Sequence, residues 1–467
     1  MNHSSSMRLL PLIYLLASSG VYAQQDTHFP YKKQQPIAAH VQSAALADKA
    51  RSAAIKRGAA VARAADCSAC HTATAQHPYA GGYQFDTGVG VLYSSNITSD
   101  PDHGIGDWTY ADFAKAIHKG ESKDGHNLYP AMPFAAYQGM TEQDTKDLWA
   151  YIHALKPDSY QPPDNDMSWP FSMRWGISLW KWTFVDDERF TPDQQHSDQW
   201  NRGDYLVNVL GHCGSCHTER NIAMAKDHDK ALQGAVTQGW YAPSLLSGTD
   251  QPLDKWDINE LTRFLGTGVT QNHFAAGPMR EAVEHSLQYL SVQDRQAIAL
   301  YLKTLRKDTD GDTVAMAKEP ELPTITKPAA TSSLTLDNMH ARTASFTISD
   351  PVLDNAMTQT DHPGAALYRD NCSACHLQGQ GMPGMVPNLA HSTAVTAKQP
   401  NNLLQVILHG ARNAQTEQHP TVQVMPAFNE RLSDQQIAQL VNYLHQQLRH
   451  DDSDTDTVTA EQVAEYR

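Results

Sequence analysis

The sequence predicts a mainly α chain in which one helical module is used three times in tandem, and three recurring features carry that expectation. The first is the run Cys67-Ser-Ala-Cys70-His71, which returns as Cys213-Gly-Ser-Cys216-His217 and as Cys372-Ser-Ala-Cys375-His376. The second is a helix-like stretch opened by a glycine ahead of each run: Gly58 before Cys67, Gly203 before Cys213 and Gly364 before Cys372. The third closes each copy. Thr141-Glu-Gln-Asp144, Ser291-Val-Gln-Asp294 and Ser433-Asp-Gln-Gln436 read as capping boxes that open a final helix. Tyr151, Tyr301 and Tyr443 lie ten residues beyond these caps, each inside an apolar run. Cap, tyrosine and apolar face recurring together mark an internal repeat. The two end helices of each copy are expected to pack on one another, with the glycine permitting a close crossing or simply starting a helix.

Taken in order, the 467 residues divide into a signal peptide (1–23), a first module (45–160), an aromatic bridging segment (161–195), a second module (196–306), a linker (307–360), a third module (361–449) and an acidic tail (450–467). Arg8, the apolar residues 9–17 and the small-residue site near Ala23 carry the signal-peptide expectation. That apolar run is too short to cross a bilayer. Export from a bacterial cell would place the mature chain in the periplasm, where c-type haems are attached. A formal net charge of −15 gives a nucleic-acid partner no electrostatic support.

The repeated run has the spacing of a c-type haem attachment site, where two thiols add to porphyrin vinyl groups and the next histidine ligates the iron. Residues three apart lie on one side of a helical turn, so both sulfurs reach one porphyrin edge. The competing readings of C-x-x-C are a zinc knuckle and a dithiol pair. All six cysteines fall in the three runs, each pair is followed by histidine, and none is left for a disulfide. The expectation is three covalently bound haem c groups, on Cys67 and Cys70, Cys213 and Cys216, and Cys372 and Cys375, with His71, His217 and His376 on iron.

Between each run and its final helix a methionine sits beside a proline that would stiffen a ligand loop: Met132 before Pro133, Met279 after Pro278, Met425 before Pro426. They follow their histidines by 61, 62 and 49 residues, and recurrence at one place in three repeats marks them as second axial ligands rather than core fillers. Met382 and Met385 follow His376 too closely to reach the opposite face. His118, His126 and His273 are the alternative sixth ligands, each read as a surface residue. Iron held by His and Met has no open position, so the expected role is electron transfer with no catalytic residue. Ser95, Pro243 and Pro387 stand where a backbone carbonyl would orient the ligand imidazole.

Two strings are decoys. Gly379-Gln-Gly-Met-Pro-Gly384 matches G-x-G-x-x-G but follows a haem motif rather than a strand. Asp308-Thr-Asp-Gly-Asp312 with Glu319 imitates a calcium loop, but Thr313 stands where that loop needs glycine. At the first joint, residues 169–184 hold six aromatics and two cations, a composition suited to a domain interface, a partner or a membrane surface. The linker, rich in Thr, Asp, Ala and Pro, is expected to let the third module move or to wrap it around the others. Asp451 to Asp456 reads as disordered.

Gly81-Gly-Tyr, Asn96-Ile-Thr, Gly104-Ile-Gly-Asp-Trp-Thr109, Lys123-Asp-Gly-His126, Tyr129-Pro-Ala-Met-Pro133 and Ser172-Met-Arg-Trp175 resemble the triheme cytochrome c subunit of bacterial membrane-bound dehydrogenases. The resemblance spans nearly the whole mature chain and implies three tandem class I cytochrome c domains. It implies a catalytic dehydrogenase subunit as partner, a flavoprotein or quinoprotein oxidising a sugar, sugar acid or alcohol. It further implies ubiquinone as acceptor, on the periplasmic side of the cytoplasmic membrane. Some relatives carry an apolar C-terminal anchor, whereas this tail is charged. Membrane attachment would then come from Trp169 to Phe184, from partner subunits, or not at all. The alternatives from other classes are a free periplasmic multihaem carrier feeding a terminal oxidase and a haem peroxidase-type enzyme.

Overall fold

In a computed structural model of the chain, residues 37–46, 48–248, 252–270, 272–307, 314–322, 361–449 and 457–467 are described. The signal-peptide expectation, the calcium-like Asp308 to Asp312, most of the linker and the acidic run 451–456 lie outside them. The described chain is mostly helical, with small two- and three-stranded antiparallel sheets.

The same helix pair is built three times. Lys49–Ala64, capped by Asp48, crosses Glu142–Ile152, capped by Thr141. Asp198–Asp204, capped by Ser197 and continued by the π-helical turn Tyr205–Leu210, crosses Val292–Thr304, capped by Ser291. Pro363–Asn371 crosses Asp434–Leu448, capped by Ser433. At each crossing the glycine meets the backbone of the partner helix. A Cβ on Gly58 would overlap the Asp147 carbonyl, one on Gly203 the Ala297 carbonyl and one on Gly364 the Gln439 carbonyl. It would also press on the Cβ of Tyr151, Tyr301 or Tyr443. The repeated tyrosine and the repeated glycine are therefore two sides of one contact. Gly58 and Gly203 lie inside their helices, not at the start; Lys49 and Asp198 begin them.

The capping boxes are complete only in the third copy, where the Ser433 and Gln436 side chains each bond the other's backbone N–H. Thr141 and Ser291 do cap the amides of Asp144 and Asp294. The acidic partners are diverted to stronger donors: Asp144 accepts from the Tyr205 hydroxyl at 2.7 Å and Asp294 from Arg202 Nε at 2.7 Å. The Asp144 bond joins the first copy to the second, and the two share one continuous apolar core from Val41 to Leu305, which Ala414 of the third copy also joins. The third copy has its own core around Leu404, Ile437 and Val441.

The third copy is docked on the second. Tyr241 N–H donates to Asn402 Oδ1 and Asn402 Nδ2 donates to the Tyr241 carbonyl, both at 2.8 Å. The buried Glu284 carboxylate receives Arg412 through Nη1 (2.5 Å) and Nη2 (3.0 Å), together with the Gln415 amide (2.8 Å). Part of the expected linker is ordered too: Val314–Met316 pairs with Leu305–Lys307 as a hairpin strand on the second copy. Glu319 accepts from the Ser197 amide and hydroxyl. The end of the tail is not disordered. Ala460–Tyr466 is a helix with a complete Thr459–Gln462 capping box, because Val458 and Val463 are apolar enough to be buried against the third core.

Candidate functional site

Each C-x-x-C-H run forms one short helical turn: Cys67–His71, Gly214–His217 and Ser373–His376. The six thiols are unpaired. Burial pushes Cys67 and Cys213 up to about 12 and Cys372 to about 11, so they are held as neutral thiols. A zinc site needs four converging donors. Among the described residues no three His, Cys, Asp or Glu side chains converge in that way.

The first two imidazoles are held as the sequence predicts. His71 Nδ1 lies 2.7 Å from the Ser95 carbonyl and His217 Nδ1 lies 2.7 Å from the Pro243 carbonyl, leaving Nε2 of each free for iron. Burial lowers the pKa of both rings, opposed by these bonds, so each stays neutral and able to ligate. His376 is lowered by burial in the same way, and the Pro387 carbonyl acts on it, short of a well-formed hydrogen bond to Nδ1.

Sequence reasoning missed a glycine that completes each holder. Gly81, Gly234 and Gly381 take positive φ of 78°, 97° and 63°. Their amides donate to the carbonyls of His71, His217 and His376 at 2.8, 2.9 and 3.0 Å. A Cβ on Gly81 or Gly381 would overlap the peptide that carries the orienting oxygen, and one on Gly234 would press on the peptides flanking it. Each glycine thus fixes the backbone of the histidine while admitting the carbonyl that aims its ring. These donors and cradles fit a covalently held haem.

Met132 and Cys67 pack against the same core, as do Met279 and Cys213; Met425 and Cys372 pack against the third core. Met425 lies on a strand paired with Ala411–Arg412. Met385 is exposed, and Met382 is used in the turn to Val386. The competing histidines have other work. His118 is a buried core residue rather than a surface one, with Nδ1 on the Tyr137 carbonyl and Nε2 on Thr145. His126 is exposed beside Asp124. His273 stacks on Trp256 with centroids 4.2 Å apart. The 379–384 string forms turns after His376, with no strand before it.

The first two motifs stand next to each other. Tyr137 donates to the Ala65 carbonyl at 2.6 Å and its ring meets that of His212 edge-on at 5.6 Å, joining the residues that precede Cys67 and Cys213. The helix Gly277–His285, which carries Met279, packs on Cys67–His71. Through that contact Glu281 acts on the buried Asp66, whose carboxyl burial holds well above its ordinary range.

Compared with known proteins, residues 55–156 and 362–447 match the sequence profile of the cytochrome c family. The chain is 36% identical over 473 residues to the fructose dehydrogenase cytochrome subunit of Gluconobacter japonicus, across 99% of this chain and 89% of that protein. It is 37% identical over 438 residues to the gluconate 2-dehydrogenase cytochrome c subunit of Pantoea cypripedii, across 91% and 92%. It is 36% identical over 411 residues to the cytochrome c subunit of the alcohol dehydrogenase (quinone) of Gluconobacter oxydans (strain 621H), across 86% and 80%.

Proposed function

Because the chain belongs to the family of cytochrome c subunits of bacterial dehydrogenases, we propose that it carries three haem c groups and passes electrons from a catalytic dehydrogenase subunit to ubiquinone. That subunit would be a flavoprotein or quinoprotein oxidising a sugar, sugar acid or alcohol on the periplasmic side of the cytoplasmic membrane. The observation that carries this reading is the triple recurrence of paired thiols, a histidine and a glycine bonded to that histidine, with a carbonyl bonded to the ring in the first two copies.

When bound, each haem supplies a one-electron iron couple. Six cysteines would anchor the three groups. His71, His217 and His376 would offer Nε2, and Met132, Met279 and Met425 their thioethers. With these residues on iron, two protein ligands would exclude oxygen and peroxide from the metal, and the thioether would raise the potential. Contact of the first two motifs and docking of the third copy on the second support a relay with the second haem in the middle. Exposed Trp169, Phe171, Trp175 and Trp182 support attachment to the membrane surface through residues 169–184. Mixing the holoprotein with a flavoprotein or quinoprotein dehydrogenase subunit from the same cells, its substrate and a ubiquinone analogue tests the proposal. Haem reduction by substrate followed by reoxidation by quinone is the expected result; haem that stays oxidised, or that quinone fails to reoxidise, would refute it.

A further inference from the structure

The bridging helix Trp175–Phe184 has two unlike faces. Trp175, Leu179 and Trp182, at helical spacing on one side, are 68%, 60% and 83% exposed. The other side is fastened to the body: Ser178 accepts from Asn127, Lys181 donates to the Lys119 carbonyl and Trp180 Nε1 donates to the Ala223 carbonyl at 2.8 Å. The last bond ties the helix to a loop of the second copy just after His217, and that loop carries its own outward apolar tips. Ile222 is 97% exposed and Met224 63%.

The tips are held, not loose. Asn221 Oδ1 accepts from the amides of Ala223 and Ala225, the Asn221 amide donates to the Ala225 carbonyl, and Arg220 Nη1 donates to the Met224 carbonyl. Met224 is kept at φ 61°, a conformation unusual for a side chain of its size. The turn therefore adds two exposed apolar side chains beside the helix that carries Trp175, Leu179 and Trp182, and it is such a grouping, not a lone exposed side chain, that marks an interaction surface.

We propose that the Ile222–Met224 turn is a second lipid contact, inserted into the bilayer surface together with the Trp175–Trp182 face; the proposal rests on the membrane reading above. The shape and charge favour lipid over a protein partner. Protruding single tips match a fluid acyl layer without any complementary pocket. Residues 169–184 contain Arg174 and Lys181 and no acid, in a chain with 51 acidic and 36 basic residues; at the turn Arg220 and Lys226 stand next to Glu219 and Asp227, so its own contribution to the contact is apolar. Tryptophan at headgroup level beside cations is the pattern of an interfacial helix. Two contacts on different modules would also fix the tilt of the protein, bringing the second haem motif, five residues from Ile222, down to the membrane surface.

The test is flotation of the mature holoprotein, without partner subunits, on phosphatidylethanolamine–phosphatidylglycerol vesicles. Partition is compared for wild type, Ile222→Ser/Met224→Ser and Trp175→Ser/Trp182→Ser. All four side chains are exposed, and an unchanged haem spectrum and thermal midpoint verify folding. Both double variants are expected to lower partition by roughly tenfold or more, the scale of withdrawing one or two large apolar side chains from lipid. If only the tryptophan variant loses partition, the turn is not a lipid contact, while the membrane reading stands. If the wild type does not float, both fall. If the turn variant floats normally but no longer binds the catalytic subunit, the turn is a protein contact and the inference is overturned.

Discussion

Glu284 is the residue on which the docking of the third copy depends most. Its side chain is 3% exposed, and it receives Arg412 twice, Arg280 Nη1 at 2.9 Å and the Gln415 amide. Breaking a fully buried ion pair from one side costs about 3–5 kcal/mol. Here the partners are 24% and 13% exposed and can turn toward water, which reduces the cost of Glu284→Gln to about 2–4 kcal/mol. The remaining polar bonds across the joint, Asn402 with Tyr241, Gln405 with Gly239 and Glu417 with Gln288, are neutral and contribute about 0.5–1.5 kcal/mol each. Glu284→Gln should therefore loosen the joint before either core melts. Hydrogen exchange should report it as early loss of protection at the Gln415 and Tyr241 amides, while Leu404 and Leu206 inside the cores stay protected. Small-angle scattering should show an expanded particle. Unchanged exchange at Gln415 together with an unchanged scattering curve would refute the assignment of the joint to this ion pair.

Gly203→Ala should destabilise the holoprotein by about 1–3 kcal/mol in thermal or denaturant unfolding, because the added methyl overlaps the Ala297 carbonyl. Gly176→Ala, whose Cβ meets nothing within 4 Å, should be neutral or slightly stabilising in the same assay. Tyr205→Phe removes the donor to Asp144 and the acceptor of the Thr141 amide, and should cost about 1–2 kcal/mol by the same measurement. Burial lowers His445 from 6.5 to about 4. The unfolded chain then takes up a proton below about pH 6.5 that the folded chain refuses until about pH 4, so stability falls across that window and levels off beneath it. His445 accounts for at most about 3 kcal/mol of that loss, and His445→Leu should reduce the pH dependence of unfolding between those limits, where His212 and His273, also lowered by burial to about 4, still contribute.

What the sequence made legible is what repeats locally. The cysteine–histidine runs, the Gly–Tyr helix crossings and the carbonyls at Ser95 and Pro243 sit at fixed places in an ordered pattern, and the structure brings them together. The holder glycines escaped because they follow their histidines by 10, 17 and 5 residues, a spacing with no period. The second half of the capping boxes failed where a stronger donor from another helix competed for Asp144 and Asp294. The Glu284–Arg412 pair spans 128 positions, and no local rule links residues so far apart. His118 looked like surface because its two partners, Tyr137 and Thr145, are supplied by later segments. The terminal helix was hidden by the acidic run before it, although Thr459 and Gln462 carry the signature of a cap.

The central claim is that every iron is closed by a histidine and a methionine. Low-temperature electron paramagnetic resonance and near-infrared magnetic circular dichroism of the oxidised mature protein, with the haem count from its intact mass, test it most directly. Three covalent haems per chain, all low-spin and each with a thioether-to-iron charge-transfer band, are the predicted result. A high-spin component, a bis-histidine signal or fewer than three haems would contradict it.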